Sequence, residues 1–295
     1  MKYYEVNFTL SPLTTDGCDL LAALAGEAGF ETFEETAEGL CGYVQQPLFD
    51  RSQLDLLLQS FPLPGTTISY TVGEAEDRDW NEQWEQEGFE PIVVSGDGSR
   101  TIIIHDGRHL PDVSAAAPEA ALLTTIEIDA KLAFGTGTHE TTRMVCQTMT
   151  ALRLEGRRVL DCGTGTGILS ICALKLGAAE AVGYDIDEWA VDNARHNAVI
   201  NGVDRRFTSL QGDATVLNGV EGSFQLVVAN INRNILLADM PLMCSKMAAG
   251  GQLILSGFYT DDVPLLVAKA AELGLALAGQ KQENGWACLL LQRAE

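Results

Sequence analysis

The stretch RRVLDCGTGTGILSICALKLGA, residues 157–178, decides how this chain is read. An apolar run ending at Asp161 and Cys162 has the character of a buried strand. Gly163, Gly165 and Gly167 then form a turn, and an apolar helix follows. Glycine allows a tight turn and close approach of backbone to a ligand, while the first turn of a helix presents N–H groups that lack partners within it. Strand, glycine turn and helix in this order make a nucleotide-type site. Dinucleotide-binding enzymes use a related pattern spaced GxGxxG. The spacing here is GxGxG, which points to S-adenosylmethionine.

Downstream, the next strand closes with GYDID, so Asp185 lies 22 residues beyond Gly163. A carboxylate there can accept both ribose hydroxyls of an adenosine group; Asp187 is the weaker candidate. The following strand ends in QGDA and brings Asp213 to the side of the adenine ring, where it could accept from the exocyclic amine, although a surface turn also favours Gly-Asp. QLVVANINRN then delivers Asn230 to the carboxyl end of a strand, the edge at which open α/β sheets bind ligands. Asn past a strand is often only a turn residue, but so apolar a run beside the first glycine loop favours a functional one. Upstream, LAFGTGTHETT (132–142) places Gly135 and Gly137 before a helix. Thr141 or Thr142 could cap that helix or touch the amino-acid end of a cofactor. His139 has no second His or Cys at ligand spacing, so no metal is expected.

Strands alternate with helices from residue 91 to the end, with helices expected at 139–152, 167–176, 188–201, 234–247 and 262–273. That order predicts a doubly wound parallel sheet covered on both faces, occupying 95–295. A closing pair of strands joined by ENG at 283–285 reads as a hairpin with an antiparallel edge strand. Residues 1–73 follow the order β-α-β-β-α-β, the ferredoxin-like split pattern, and carry no catalytic motif. Residues 74–94 form a connector with a short helix on which Trp80 and Trp84 share a face. They pack it onto a domain or offer an aromatic patch to a partner.

The 295 residues carry a formal net charge of −22, and residues 1–90 hold 18 acidic and 3 basic side chains, net −15, leaving −7 for the rest. Such a field opposes a phosphate backbone and favours basic partners, so direct nucleic-acid binding is not expected. The longest charge-free stretch, 56–73, contains Pro62, Pro64 and Gly65, so no membrane span is expected. Glu5 interrupts the apolar core that an export signal would need, which makes the cytoplasm the expected location. The seven Cys lack CxxC spacing and read as reduced core residues.

FGTGTHETT, DCGTGTGILSICALKLGA, GYDIDEWAVDNARHNAVINGV and VVANINRNILL together resemble the PrmA family, methyltransferases of the stalk-base protein of the large ribosomal subunit. The likeness extends over nearly the whole chain, including the SGFY and NGWA segments. It implies a class I methyltransferase domain, Rossmann-like, with an N-terminal domain that recognises the substrate. It further implies S-adenosylmethionine as cofactor, a basic ribosomal protein as partner, and methylation of lysine side chains and an N-terminal amine. Cofactor contacts fall by resemblance on Thr142, Gly163, Asp185 and Asn230, joined by Gly165 and Asp213 from the residues themselves, with Asn230 also positioning the amine. The NIN at 230–232 is not the NPPY of nucleobase and glutamine methyltransferases. Competing readings are a small-molecule or RNA methyltransferase, an NAD-dependent dehydrogenase, and a noncatalytic binding protein on the same scaffold.

Overall fold

The computed structural model describes residues 3–59, 61–75, 88–96, 100–111, 122–130, 135 and 137–294. Trp80 and Trp84, expected on one helical face, lie outside these residues. The chain divides into two compact units, Met1–Trp80 and Asn81–Glu295. Among the described residues no helix is long and apolar enough to cross a membrane.

In the first unit, Val6, Phe8 and Leu10 of β1 (Tyr3–Ser11) are buried and alternate with exposed Asn7 and Thr9. One face of the strand therefore belongs to a core. Leu21 and Ala25 of α1 (Thr15–Glu27) and Leu54 of α2 (Arg51–Gln59) close over that face. Thr14 caps α1, its hydroxyl accepting from the Gly17 N–H at 3.1 Å. With β2 (Phe30–Thr36), β3 (Gly39–Gln45) and β4 (Thr67–Glu74), the sheet order is β2-β3-β1-β4, and every neighbouring pair is antiparallel. This is the split β-α-β-β-α-β arrangement that the sequence order implies.

The second unit opens with β5 (Ile92–Ser95), β6 (Arg100–His105) and β7 (Leu122–Glu127), which form a sheet of their own. The alternation of strands and helices predicts β6 and β7 in the doubly wound sheet and most of β5 in the connector. Instead, Ile102, Ile104 and Ile126 pack with α3 (Glu140–Thr150) on one face of the main sheet. Strand pattern alone does not reveal which sheet a strand joins.

The main sheet contains β8 (Arg158–Cys162), β9 (Glu180–Asp185), β10 (Phe207–Gln211), β11 (Phe224–Asn230), β12 (Met247–Tyr259), β13 (Leu275–Glu283) and β14 (Trp286–Arg293). Their order is β10-β9-β8-β11-β12-β14-β13. The first five are parallel, and β14 runs antiparallel to both of its neighbours. The hairpin expectation thus needs one correction: the antiparallel strand is internal, and the edge strand β13 runs with the parallel set. Asn284 and Gly285, at φ of 49° and 83°, supply the two left-handed residues of the turn between them.

Both sheet faces are covered. Val159, Leu226 and Val228 face α3 and α4 (Ile168–Lys175), whereas Leu160, Val227 and Ala229 face α6 (Arg233–Ser245) and α7 (Val263–Glu272). The strand order reverses between β8 and β11, which opens a crevice at their carboxyl ends. All seven Cys are buried and free.

Candidate active site

Gly163 and Gly165 line that crevice, and Gly167 closes the turn behind them against Ala194. Gly163, Gly165 and Gly167 have φ of 73°, 51° and 81°, a region costly for residues with a Cβ. The turn is tied to β9: the Gly163 and Thr164 N–H groups donate to the Tyr184 carbonyl at 2.9 Å each. The Gly165 N–H donates to Asp185 Oδ2 at 2.9 Å, and the other carboxylate oxygen accepts from the Asp187 N–H at 3.1 Å. Asp187 itself caps α5 (Glu188–Ile200), accepting from the Trp189 N–H. Asp185 therefore faces the crevice and Asp187 serves the helix.

Beneath the turn lies Asp161, fully buried at the end of β8. Its Oδ2 accepts from Thr164 Oγ1 at 2.8 Å and from the Ser170 N–H and Oγ at 3.1 and 2.8 Å, tying strand, turn and α4 together. Its Oδ1 is buried without a partner. Burial pushes the carboxyl up to about 6, against the pull of these hydrogen bonds. Sequence reading passed over this residue, although a lone carboxylate in an apolar strand was a visible signal.

Asn230 ends β11 at the same level. Its Nδ2 donates to Thr142 Oγ1 at 3.3 Å, and its Oδ1 is buried with no partner. Thr142 is buried and does not cap α3. That role falls to His139, whose Nδ1 accepts from the Thr141 N–H at 3.2 Å. The His139 ring meets Trp286 edge-on at 4.9 Å, and Tyr259 stacks on Trp286 at 4.2 Å. Thr166 Oγ1 donates to the Gly135 carbonyl at 2.6 Å, so the upstream glycine loop is fastened to the central turn.

These groups enclose a cavity of about 430 Å³. Thr142, Gly163, Gly165, Asp185, Asp213 and Asn230, the six positions expected from sequence, all line it. So do Tyr184, Ile186, Ile235 and Asp239, which sequence reading did not single out. Ile186 and Ile235 are exposed apolar side chains at its rim, 73% and 47% accessible. Asp213 caps the 3-10 turn at Ala214–Gly219, its Oδ1 accepting from the Thr215 N–H and Oγ1. Those bonds hold its carboxyl below the usual value.

Among the described residues, the lining holds three Asp and neither Lys nor Arg. A pyrophosphate would meet repulsion there, whereas a neutral nucleoside bearing a cationic sulfonium and amine suits it. The unpartnered Asn230 oxygen faces the same donor-bearing class of ligand, so the residues present fit S-adenosylmethionine. No group of side chains among the described residues could hold a metal ion.

A family model for ribosomal protein L11 methyltransferase (PrmA) matches residues 40–294. The chain belongs to this family. A ribosomal protein L11 methyltransferase of Bacteroides fragilis is 45% identical over 289 residues, covering 98% of this chain and 99% of the relative. One from Porphyromonas gingivalis is 40% identical over 294 residues, covering 98% and 97%. The crystal structure of a ribosomal protein L11 methylase from Lactobacillus delbrueckii subsp. bulgaricus superposes with a TM-score of 0.60 at 28% identity, covering 70% of this chain and all of that one. This member of the PrmA family is a methyltransferase that uses S-adenosylmethionine, with the class I doubly wound domain that its sequence predicts.

Proposed function

We propose that this enzyme methylates lysine side-chain and N-terminal amines of the stalk-base protein L11 of the large ribosomal subunit, in the cytoplasm. The observation that carries the reading at the site is the cavity at the β8–β11 switch point, where Asn230 holds an unpartnered oxygen beside a wall of carboxylates. Family membership carries the acceptor.

S-adenosylmethionine bound in this cavity supplies a methyl group activated on a sulfonium. Gly163 and Gly165 let the backbone approach it, Asp185 takes the ribose hydroxyls, Asp213 the base, and Thr142 with Asn230 the end nearest the reacting centre. The substrate amine must arrive neutral, since a free lysine with a pKa of about 10.4 is protonated at neutral pH. Partial burial in the crevice depresses that pKa, and the Asn230 Oδ1 accepts one remaining N–H and aims the nitrogen lone pair. Orientation is the enzyme's main contribution, and no covalent enzyme intermediate is required.

Residues 1–73 supply substrate recognition in this reading. The excess of acid in residues 1–90 speeds encounter with a basic ribosomal protein more than it tightens the final complex. Incubation with labelled S-adenosylmethionine and unmethylated ribosomal proteins, followed by mass spectrometry, tests the proposal. Label on lysine or N-terminal amines of L11 is the expected result; label on another protein or on RNA would overturn the acceptor.

A further inference from the structure

A 6-amino purine placed against Asp213 needs more acceptor capacity than this one carboxylate can supply. Asp213 spends Oδ1 on the Thr215 N–H and hydroxyl, which leaves Oδ2 to face a ligand. An exocyclic amine carries two N–H donors, so one oxygen leaves one donor unmatched.

Asp239 stands on the same wall. It lies on α6, one turn beyond Ile235, and both side chains line the cavity. The Asp239 carboxylate is half-buried and makes no hydrogen bond or ion pair with the described residues, although burial and the neighbouring Asp213 both act against its charge. With no protein donor engaged, its oxygens are free to accept from a ligand in the cavity. Tyr184, 4% exposed, also lines the cavity, and its hydroxyl pairs with the weakly polar Cys162 thiol and with no nitrogen or oxygen of the described residues. The apolar rim of Ile186 and Ile235 completes a slot suited to a flat ring whose edge carries donors.

We infer that Asp239 is a specificity-determining residue, accepting the second N–H of the 6-amino group of the cofactor's purine while Asp213 accepts the first. The inference rests on the placement of the cofactor in this cavity proposed above. A 6-oxo purine would turn a carbonyl lone pair toward two carboxylates, so the site rejects it by repulsion as well as by lost hydrogen bonds.

The test is calorimetric titration of the full chain with S-adenosylhomocysteine and with its 6-oxo counterpart, S-inosylhomocysteine. The wild type should prefer the amine by at least about 100-fold, as expected of sites built to hydrogen-bond a polar group. Asp239→Asn presents an amide that can donate to the 6-oxo group and should shrink the preference to about tenfold or less, mainly by gaining affinity for the 6-oxo ligand. Asp239→Ser, which cannot repel the carbonyl, should fall between, and urea midpoints near wild type verify that both variants fold. An unchanged preference in both variants would overturn the role of Asp239. Wild-type protein that binds neither ligand would overturn the placement of the cofactor itself, and the inference with it.

Discussion

Replacing Gly163 with alanine perturbs the cofactor site in two separable ways. The residue has φ of 73°, and holding an L residue in that region costs about 1–2 kcal/mol. The new Cβ would also sit 2.4 Å from Ile231 Cγ2, so the isoleucine must leave its rotamer, at about 0.5–1.5 kcal/mol. Together these predict a loss of about 1.5–3.5 kcal/mol in urea unfolding. Ile231 lines the cavity, so its displacement should also weaken S-adenosylhomocysteine binding at least about tenfold, or 1.4 kcal/mol. Adding Ile231→Ala removes the clash, so the double variant should lose less stability than the sum of the two single variants, while the backbone cost remains. A single variant within about 0.5 kcal/mol of wild type, with unaltered binding, would refute this account of the turn.

Asp161→Asn tests the buried carboxyl. Because burial lifts its pKa from 3.8 to about 6, the folded state keeps a proton that the unfolded chain has released between those values, and stability contributed by this group falls as pH rises through that window. The stability advantage of wild type over the variant should therefore shrink by about 3 kcal/mol between pH 3.5 and pH 7, roughly two pKa units; a difference that stays flat in urea titrations contradicts the assignment. Gly257→Ala should be harsher than Gly163→Ala, by about 1 kcal/mol or more in the same titration, because its Cβ would meet the Ile231 backbone, the carbonyl oxygen at 2.6 Å, and backbone cannot swing aside as a side-chain methyl does. Raising salt from 50 to 300 mM should lower kcat/KM for L11 several-fold with little change in kcat; a kcat/KM insensitive to salt would remove electrostatic steering by the acidic N-terminal region.

The parts of the fold legible in the sequence are those governed by local chemistry. Gly163, Gly165 and Gly167 announce backbone conformations open to few other residues, and the unbroken apolar run from Leu226 to Ala229 marks a strand covered on both faces. Asp185 and Asn230 were recoverable because strand ends in such sheets converge on one crevice. Long-range choices were not legible: β6 and β7 read as ordinary strands, and only tertiary packing seats them in a separate sheet. His139 was not recognised as a cap because imidazole is an uncommon substitute for Ser, Thr, Asp or Asn. Asp239 escaped because a lone acid in LLADMPLM reads as the solvent face of a helix until the cavity beside it is seen.

The central claim is that Asn230 orients the substrate amine and contributes only a small part of the hold on a cofactor bound chiefly by other residues, and Asn230→Ala tests it most directly. S-adenosylhomocysteine affinity and single-turnover methylation of L11 would be measured on the same preparation. The account predicts a transfer rate lower by about 100-fold, the scale of losing one oriented polar contact at a reacting centre, with cofactor affinity changed less than about tenfold. Transfer at the wild-type rate would contradict it.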